Sequence, residues 1–333
     1  MRPLFLFVLL VPFIAKAQSP MCAVLDSVVH TIQRISFYNT YGAQERIAKL
    51  DLSGCGQADS LHELAPQLTA VMNALGDHHG RILLDGWPIA WMSDDTYSNL
   101  SDERQADQQF WREVQQGRHG FEASLRRKNV GYLRIPAVTG GDLQQVAQNF
   151  RRGLDSLITA GAVRWIIDLR VNSGGNMWPM LEALAPLFGE GRVAMTLDRH
   201  DGLFSAYEFH DGHFERNAYR MIELPVGADR SKDPVVVLAG RYTASSGEAV
   251  AACFINRAKA LIGELTAGYS TETGWTVLYD RLVLSIAESV FGGPDAGQYR
   301  SGIGTTIEIQ QAVPGFDDED PAMKAAFEQL EER

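Results

Sequence analysis

The chain has 333 residues, 45% of them hydrophobic and 21% charged. That is a globular composition, not a disordered or fibrous one, with length for one large domain or two moderate ones. Its formal net charge of −11 argues against general affinity for nucleic acid or anionic lipid.

In chain order, the start sets the compartment. Met1-Arg2 is a short basic segment, Pro3 to Ile14 is apolar, and Ala15-Lys16-Ala17 is an A-x-A cleavage signal. A signal peptide over residues 1–17 is expected, with export to a periplasmic or extracellular space. The apolar run is too short to span a bilayer comfortably, and no stable membrane span is expected. In an exported chain a Cys22–Cys55 disulfide is plausible, and Cys253 reads as a small buried apolar residue.

Residues 18–80 read as an N-terminal helical cap. Val24, Leu25, Val28, Val29 and Ile32 recur at helical spacing, as do Leu61, Leu64, Leu68, Val71 and Leu75. Gly76 ends the last helix, and Asp77-His78-His79-Gly80 follows. A histidine here suits a catalytic base, or is simply a solvated loop residue. A His78/His79 metal pair is the weaker idea, because adjacent side chains point apart and no third ligand is near. Asp77 either orients His79 or terminates the helix. No metal and no organic cofactor is expected. Residues 81–129 form a linking segment: a strand pattern over Arg81–Ile89 broken at Trp87-Pro88, then a polar, partly helical stretch. It is too short and polar for a further binding module.

The core is expected over residues 130–333, with an α/β fold. Val130–Pro136 reads as a strand, Asp142–Ala160 as an amphipathic helix, Trp165–Arg170 as a strand and Met177–Phe188 as a helix. Strand, helix, strand, helix at these lengths argues a right-handed βαβ unit. Val235–Ala239 and a helix from Glu248 repeat it. Asn172–Asn176 and Thr243–Glu248 are the two loops with special sequence, and sites in open α/β sheets form at such strand ends. Ser245 and Ser246 lie in a tight strand-to-helix turn. There they either cap the helix or present a nucleophile beside unpaired N–H groups. Gly174 and Gly175 either make a plain turn or bring an N–H close to a reacting carbonyl oxygen. Beyond Leu261, a short strand, a hairpin of Trp275–Leu278 with Arg281–Ala287, a Gly-rich loop, a strand at Ile307–Val313 and a terminal helix from Pro321 complete the chain.

Four segments in order now carry a resemblance: Leu75-Gly-Asp-x-His79, Asp168-Leu-Arg-x-Asn-x-Gly-Gly175, Thr243-Ala-Ser-Ser-Gly-Glu248 and Gly263-Glu-x-Thr-Ala-Gly268. Over about residues 60–312 the chain resembles the S41 serine peptidases, the tail-specific or C-terminal processing group that includes the tricorn core. The resemblance implies a ClpP/crotonase-like β-α-β core, Ser245 rather than Ser246 as nucleophile, and oxyanion donors at Gly174 or Gly175 and Ser246. It implies a peptide or unfolded protein as substrate, and the PDZ module common in the family has no room in residues 81–129. The lysine of the processing type is missing, since its position falls at about Ser270. His79 matches the histidine base of the tricorn type, but the glutamate region reads Tyr299-Arg-Ser-Gly302. Asp77, Glu264 and Glu272 stand as candidate acids, and Glu248 as a brace for its helix. The expectation is an exported serine peptidase. The alternatives are a non-catalytic peptide- or hydrophobic-ligand-binding protein on the same fold, and an esterase.

Overall fold

The computed structural model describes residues 19–93, 102–279, 281–292, 299, 302–311 and 313–332. The expected signal peptide, residues 94–101 and part of the Tyr299–Gly302 region lie outside them.

The N-terminal part is helical. α1 (Pro20–Ile35) buries Val24, Leu25, Val28 and Ile32 along one stripe. α2 (Tyr41–Ala48) starts at Thr40, whose hydroxyl accepts from the Ala43 N–H. α3 (Ala65–Leu75) stops at Gly76, whose φ of +82° is the left-handed cap that glycine supplies. A disulfide joins Cys22 in α1 to Cys55 in the short turn Ser53–Gln57. It closes a loop of 33 residues, which in the chain-entropy view stabilises folding by about 3–4 kcal/mol. Cys55→Ser is therefore expected to lower the midpoint of thermal unfolding by several degrees, and a reductant to do the same to the wild type but not to the variant.

The strand pattern over Arg81–Ile89 resolves into a hairpin, β1 (Arg81–Leu84) and β2 (Trp87–Trp91). Its turn is Asp85-Gly86, with positive φ at both positions, the geometry that matches strand twist. After α4 (Asp102–Gln115) come β3 (Glu122–Arg126), β4 (Val130–Arg134), α5 (Leu143–Thr159), β5 (Arg164–Asp168) and α6 (Trp178–Leu184). Three strands follow in a region where the sequence patterns indicate none: β6 (Gly191–Leu197), β7 (Leu203–His210) and β8 (His213–Arg216). Then come β9 (Val235–Ala239), α7 (Ser246–Phe254), β10 (Ala260–Gly263), β11 (Thr271–Leu278), β12 (Leu282–Gly292), β13 (Ile307–Glu308) and α8 (Pro321–Glu331).

The strands form two sheets. One runs β13-β10-β9-β5-β4-β3 and is parallel except for β3 at its edge. The other runs β2-β1-β12-β6-β7-β8, with β11 also on β12, and is antiparallel. Alternation along β9 shows the layering. Val235 and Val237 join α5, α6, α7 and the β6–β8 side chains in one core. Val236 and Leu238 face α8 through Met323 and Phe327. The helical cap packs on β1, β2 and β12 in a separate core, so the histidine loop after α3 is fastened to the antiparallel sheet. The special loops leave the adjacent carboxyl ends of β5 and β9.

Asp168 and Arg170 serve architecture. Arg170 is buried against Asp168 at 2.7 Å and against Asp320, the N-cap of α8, at 3.0 Å. Their charges tie α8 to the end of β5, below the loop that carries the glycines.

Candidate active site

The turn after β9 is built by its own polar atoms. The Gly240 N–H donates to Thr243 Oγ1 at 3.0 Å, and that hydroxyl donates to the Leu169 carbonyl at 2.9 Å. The Ala244 N–H donates to the Asn172 carbonyl at 2.9 Å. Gly247 is needed because a Cβ there would stand 2.5 Å from the same carbonyl. Ser245 is left at φ +52°, ψ −117°, a strained backbone of the kind that costs about 1–3 kcal/mol and clusters at active sites. Such an elbow lifts a nucleophile clear of the sheet.

Glu248 holds the elbow. One carboxylate oxygen accepts from the Ser245 N–H at 3.0 Å; the other accepts from the Thr266 hydroxyl and from the Gly268 N–H at 2.9 Å. Burial pushes its carboxyl above the usual range, against the pull of these donors. Glu248 thus braces two loops.

The histidine loop is built around Asp77. Its carboxylate accepts from the N–H groups of His79 at 3.1 Å, Gly80 at 2.7 Å and Ala287 at 3.0 Å. A Cβ on Gly80 would stand 2.5 Å from that carboxylate. Asp77 therefore positions the loop through backbone groups and does not bond the imidazole. His78 donates through Nε2 to the Gly268 carbonyl at 2.9 Å, and its ring meets Tyr38 and Tyr269 edge-on.

These anchors set the His79 ring between two hydroxyls. Nε2 is 3.0 Å from Ser245 Oγ, and Nδ1 is 2.7 Å from Thr271 Oγ1. Removal from water, followed by the charges of Arg81 and His78, lowers the ring's pKa to about 3.

The expected acids lie elsewhere. Glu264 pairs with Arg241. Glu272 accepts from Thr196 Oγ1 at 2.9 Å and pairs with Arg216 at 2.8 Å. Ser270 donates to the Tyr299 carbonyl. Thr271, beside both, is the group that meets the ring, and a lone threonine carries no mark in sequence.

The glycines divide their roles. The Gly174 N–H is taken by Asn172 Oδ1 at 3.0 Å, which corrects its assignment as an oxyanion donor. A Cβ on Gly174 would come within 2.8 Å of Ser245 Cβ, so its value is close approach to the elbow. The Gly175 and Ser246 N–H groups have no protein acceptor among the described residues. The Ser246 hydroxyl donates to the Gly175 carbonyl, holding the two loops together.

Two clefts meet at Ser245. One of about 290 Å³ includes Gly175, Ser246, Tyr207 and Phe291 in its wall. The other, of about 490 Å³, includes His79, Arg81, Trp111 and Tyr269. Among the described residues no group of three or more His, Cys, Asp or Glu is arranged to hold a metal, and no helix is long and apolar enough to cross a membrane.

Residues 129–309, more than half the chain, match the model of peptidase family S41. A nisin-resistance protein of Lactococcus lactis subsp. lactis is 31% identical over 164 residues, 48% of this chain and 50% of that protein. A carboxyl-terminal-processing protease of Picosynechococcus sp. is 27% identical over 142 residues, 42% of this chain and 29% of that protein. The chain thus spans half or less of the length of these relatives. A lipoprotein from Streptococcus agalactiae shares the fold, with a TM-score of 0.64 at 16% identity over 92% of this chain and 94% of that one. On the extent of the family match, the chain belongs to peptidase family S41.

Proposed function

We propose that the protein is an exported serine peptidase that cleaves peptide bonds through an acyl-enzyme on Ser245, with His79 as general base and Thr271 as the group that holds the ring. The observation that carries this is the single line Ser245 Oγ–His79–Thr271 Oγ1. Export is supported by the A-x-A segment and by the Cys22–Cys55 disulfide.

Each atom then has a task. The His79 tautomer with hydrogen on Nδ1 donates to Thr271, which leaves the Nε2 lone pair facing the serine hydroxyl. As Ser245 Oγ attacks the peptide carbon, Nε2 takes its proton. The developing oxyanion is met by the Gly175 and Ser246 N–H groups, with the α7 N-terminus behind them. The imidazolium returns its proton to the leaving nitrogen, and water repeats the sequence on the acyl ester.

Thr271 is neutral, so it orients the imidazole without stabilising its charge as a carboxylate does. Thr271→Val keeps the shape and removes the hydroxyl. It is expected to lower kcat about 10- to 100-fold with little change in KM. Equal activity in the variant removes Thr271 from the mechanism.

The low basicity of His79 sets the pH response. The ring is neutral and competent above about pH 3. Thus kcat/KM is expected to stay level as pH falls through 6.5, where an ordinary histidine would charge. Stability behaves oppositely. The folded pKa lies below the unfolded one, so the contribution is fully present above about pH 6.5. It is lost progressively toward pH 3, at up to about 1.4 kcal/mol per unit. A tenfold loss of kcat/KM per unit beginning at pH 6.5, with the protein still folded, contradicts this.

The reading is tested by exposing the protein to a serine-reactive phosphonate and mapping the adduct. Label on Ser245 that requires His79 supports it; no label, or label elsewhere, counts against it. Unstructured casein is the first substrate, and kinship with a nisin-resistance protein adds nisin to the assay. That His79 Nδ1 meets Thr271, and no carboxylate among the described residues, favours a second reading, a peptide-binding protein on this fold. Peptide binding that survives Ser245→Ala, with no cleavage by the wild type, selects it.

A further inference from the structure

We infer that Arg81 forms an anion-recognition subsite for the leaving fragment, so that the enzyme selects peptide bonds followed closely by a carboxylate, on an acidic side chain or at a free C-terminus. This rests on the Ser245–His79 reading above.

The two clefts take opposite sides of the scissile bond. The carbonyl oxygen must face the oxyanion donors, and the leaving nitrogen must face the base that returns its proton. Gly175 and Ser246 line the smaller cleft, whereas His79 lines the larger. The acyl part therefore enters the smaller cleft, and the leaving fragment enters the larger.

The larger cleft carries two guanidinium groups, Arg81 and Arg241, and no Asp or Glu among its described lining. Arg241 is compensated: it pairs with Glu264 at 2.9 Å through Nε and with Asp107 at 2.8 Å. Arg81 is not. Its Nη1 donates to the carbonyls of His78 at 3.1 Å and Gly80 at 2.7 Å, and among the described residues it has no carboxylate partner. Those carbonyls fix the guanidinium on the loop that carries His79 without neutralising it. A cation held in place in a cleft binds a carboxylate without first ordering a flexible side chain.

The placement couples recognition to chemistry. The charge of Arg81 is among the causes that depress the basicity of His79, so it opposes the imidazolium that forms during attack. A substrate carboxylate beside Arg81 offsets that charge when the ring becomes protonated. Selectivity is then expressed in kcat as well as in KM.

The test uses the full chain with synthetic decapeptide pools, made with free or amidated C-termini, and cleavage sites mapped by mass spectrometry. Sites with Asp, Glu or a free terminus within three positions after the cut are expected to be about five- to tenfold enriched. Arg81→Gln should abolish the enrichment, Arg81→Lys should keep part of it, and Arg81→Glu should turn it toward Lys and Arg. Loss on amidation assigns the terminal carboxylate; persistence assigns acidic side chains; either supports the subsite. Equal cleavage of neutral and acidic sites, or a uniform fall over all sites in Arg81→Gln with no change in preference, overturns it. Binding of the same pools to Ser245→Ala separates the two ideas. Arg81-dependent retention of anionic peptides without wild-type cleavage keeps the subsite and defeats the peptidase reading. Cleavage without such retention or enrichment does the reverse.

Discussion

Ser245→Ala is expected to reduce kcat/KM on casein by about 10⁴- to 10⁶-fold while leaving the fold intact. Ser245 Oγ is the hydroxyl on Nε2 of His79, at 3.0 Å, and the neighbouring Ser246 hydroxyl is turned to the Gly175 carbonyl instead. The backbone bonds of the turn do not use that hydroxyl. Alanine keeps the backbone N–H that donates to Glu248 and the carbonyl that accepts from the Ala249 N–H. His79→Ala should cost a similar factor, and the double variant little more than either, because groups that act as a unit do not lose activity additively. Initial rates of the three variants beside their thermal unfolding curves check this. A Ser245→Ala enzyme within tenfold of wild type contradicts the assignment.

The second large effect is expected at Gly175. Its φ is +95°, and a Cβ there would stand 2.0 Å from the Val138 carbonyl oxygen and 2.4 Å from its carbon. Both are backbone atoms, so relief requires the loop itself to move. That motion carries away one of two proposed oxyanion donors and the carbonyl that accepts from Ser246. Gly175→Ala should therefore lower kcat about 10²- to 10³-fold, the loss typical of one oxyanion donor, with KM little altered. Steady-state kinetics distinguish this from simple loosening of the cleft, which raises KM. Full activity in Gly175→Ala would place the oxyanion elsewhere.

The parts of the site that local chemistry builds were legible in sequence. Val235–Ala239 is wholly apolar and the small-residue segment Thr243–Gly247 lies just beyond it, so a buried strand and a tight turn follow from composition. Gly76, Asp77 and His79 lie together after a helix whose periodicity is plain. Helical spacing over Asp142–Ala160 and a second strand pattern over Trp165–Arg170 complete the βαβ frame.

What was not legible depends on long-range pairing. Thr271 reaches His79 because β11 pairs with β12 and because Glu248 anchors residues 266–268, near 20 positions from its own place in the chain. Nothing about one threonine announces that meeting. Glu264 and Glu272 look like suitable acids in sequence, but fold to meet arginines instead. β6 escapes a period-2 reading because register shifts at Arg192/Ala194 and Thr196/Leu197 break its alternation. In β7 and β8, Glu208, His210, His213, Glu215 and Arg216 interrupt the apolar signal. The resemblance leaves Gly174 or Gly175 as donor alike, and only the structure shows Asn172 taking the Gly174 N–H.

Trapping the acyl-enzyme tests the Ser245–His79 mechanism most directly. Wild-type protein is mixed with a cleaved peptide, quenched in acid within the first turnover and measured as an intact protein, then digested. The expected result is a mass increase equal to the N-terminal fragment less water, located on Ser245 and lost in Ser245→Ala. Peptide cleavage at full rate with no adduct on Ser245, unchanged in Ser245→Ala, would contradict it.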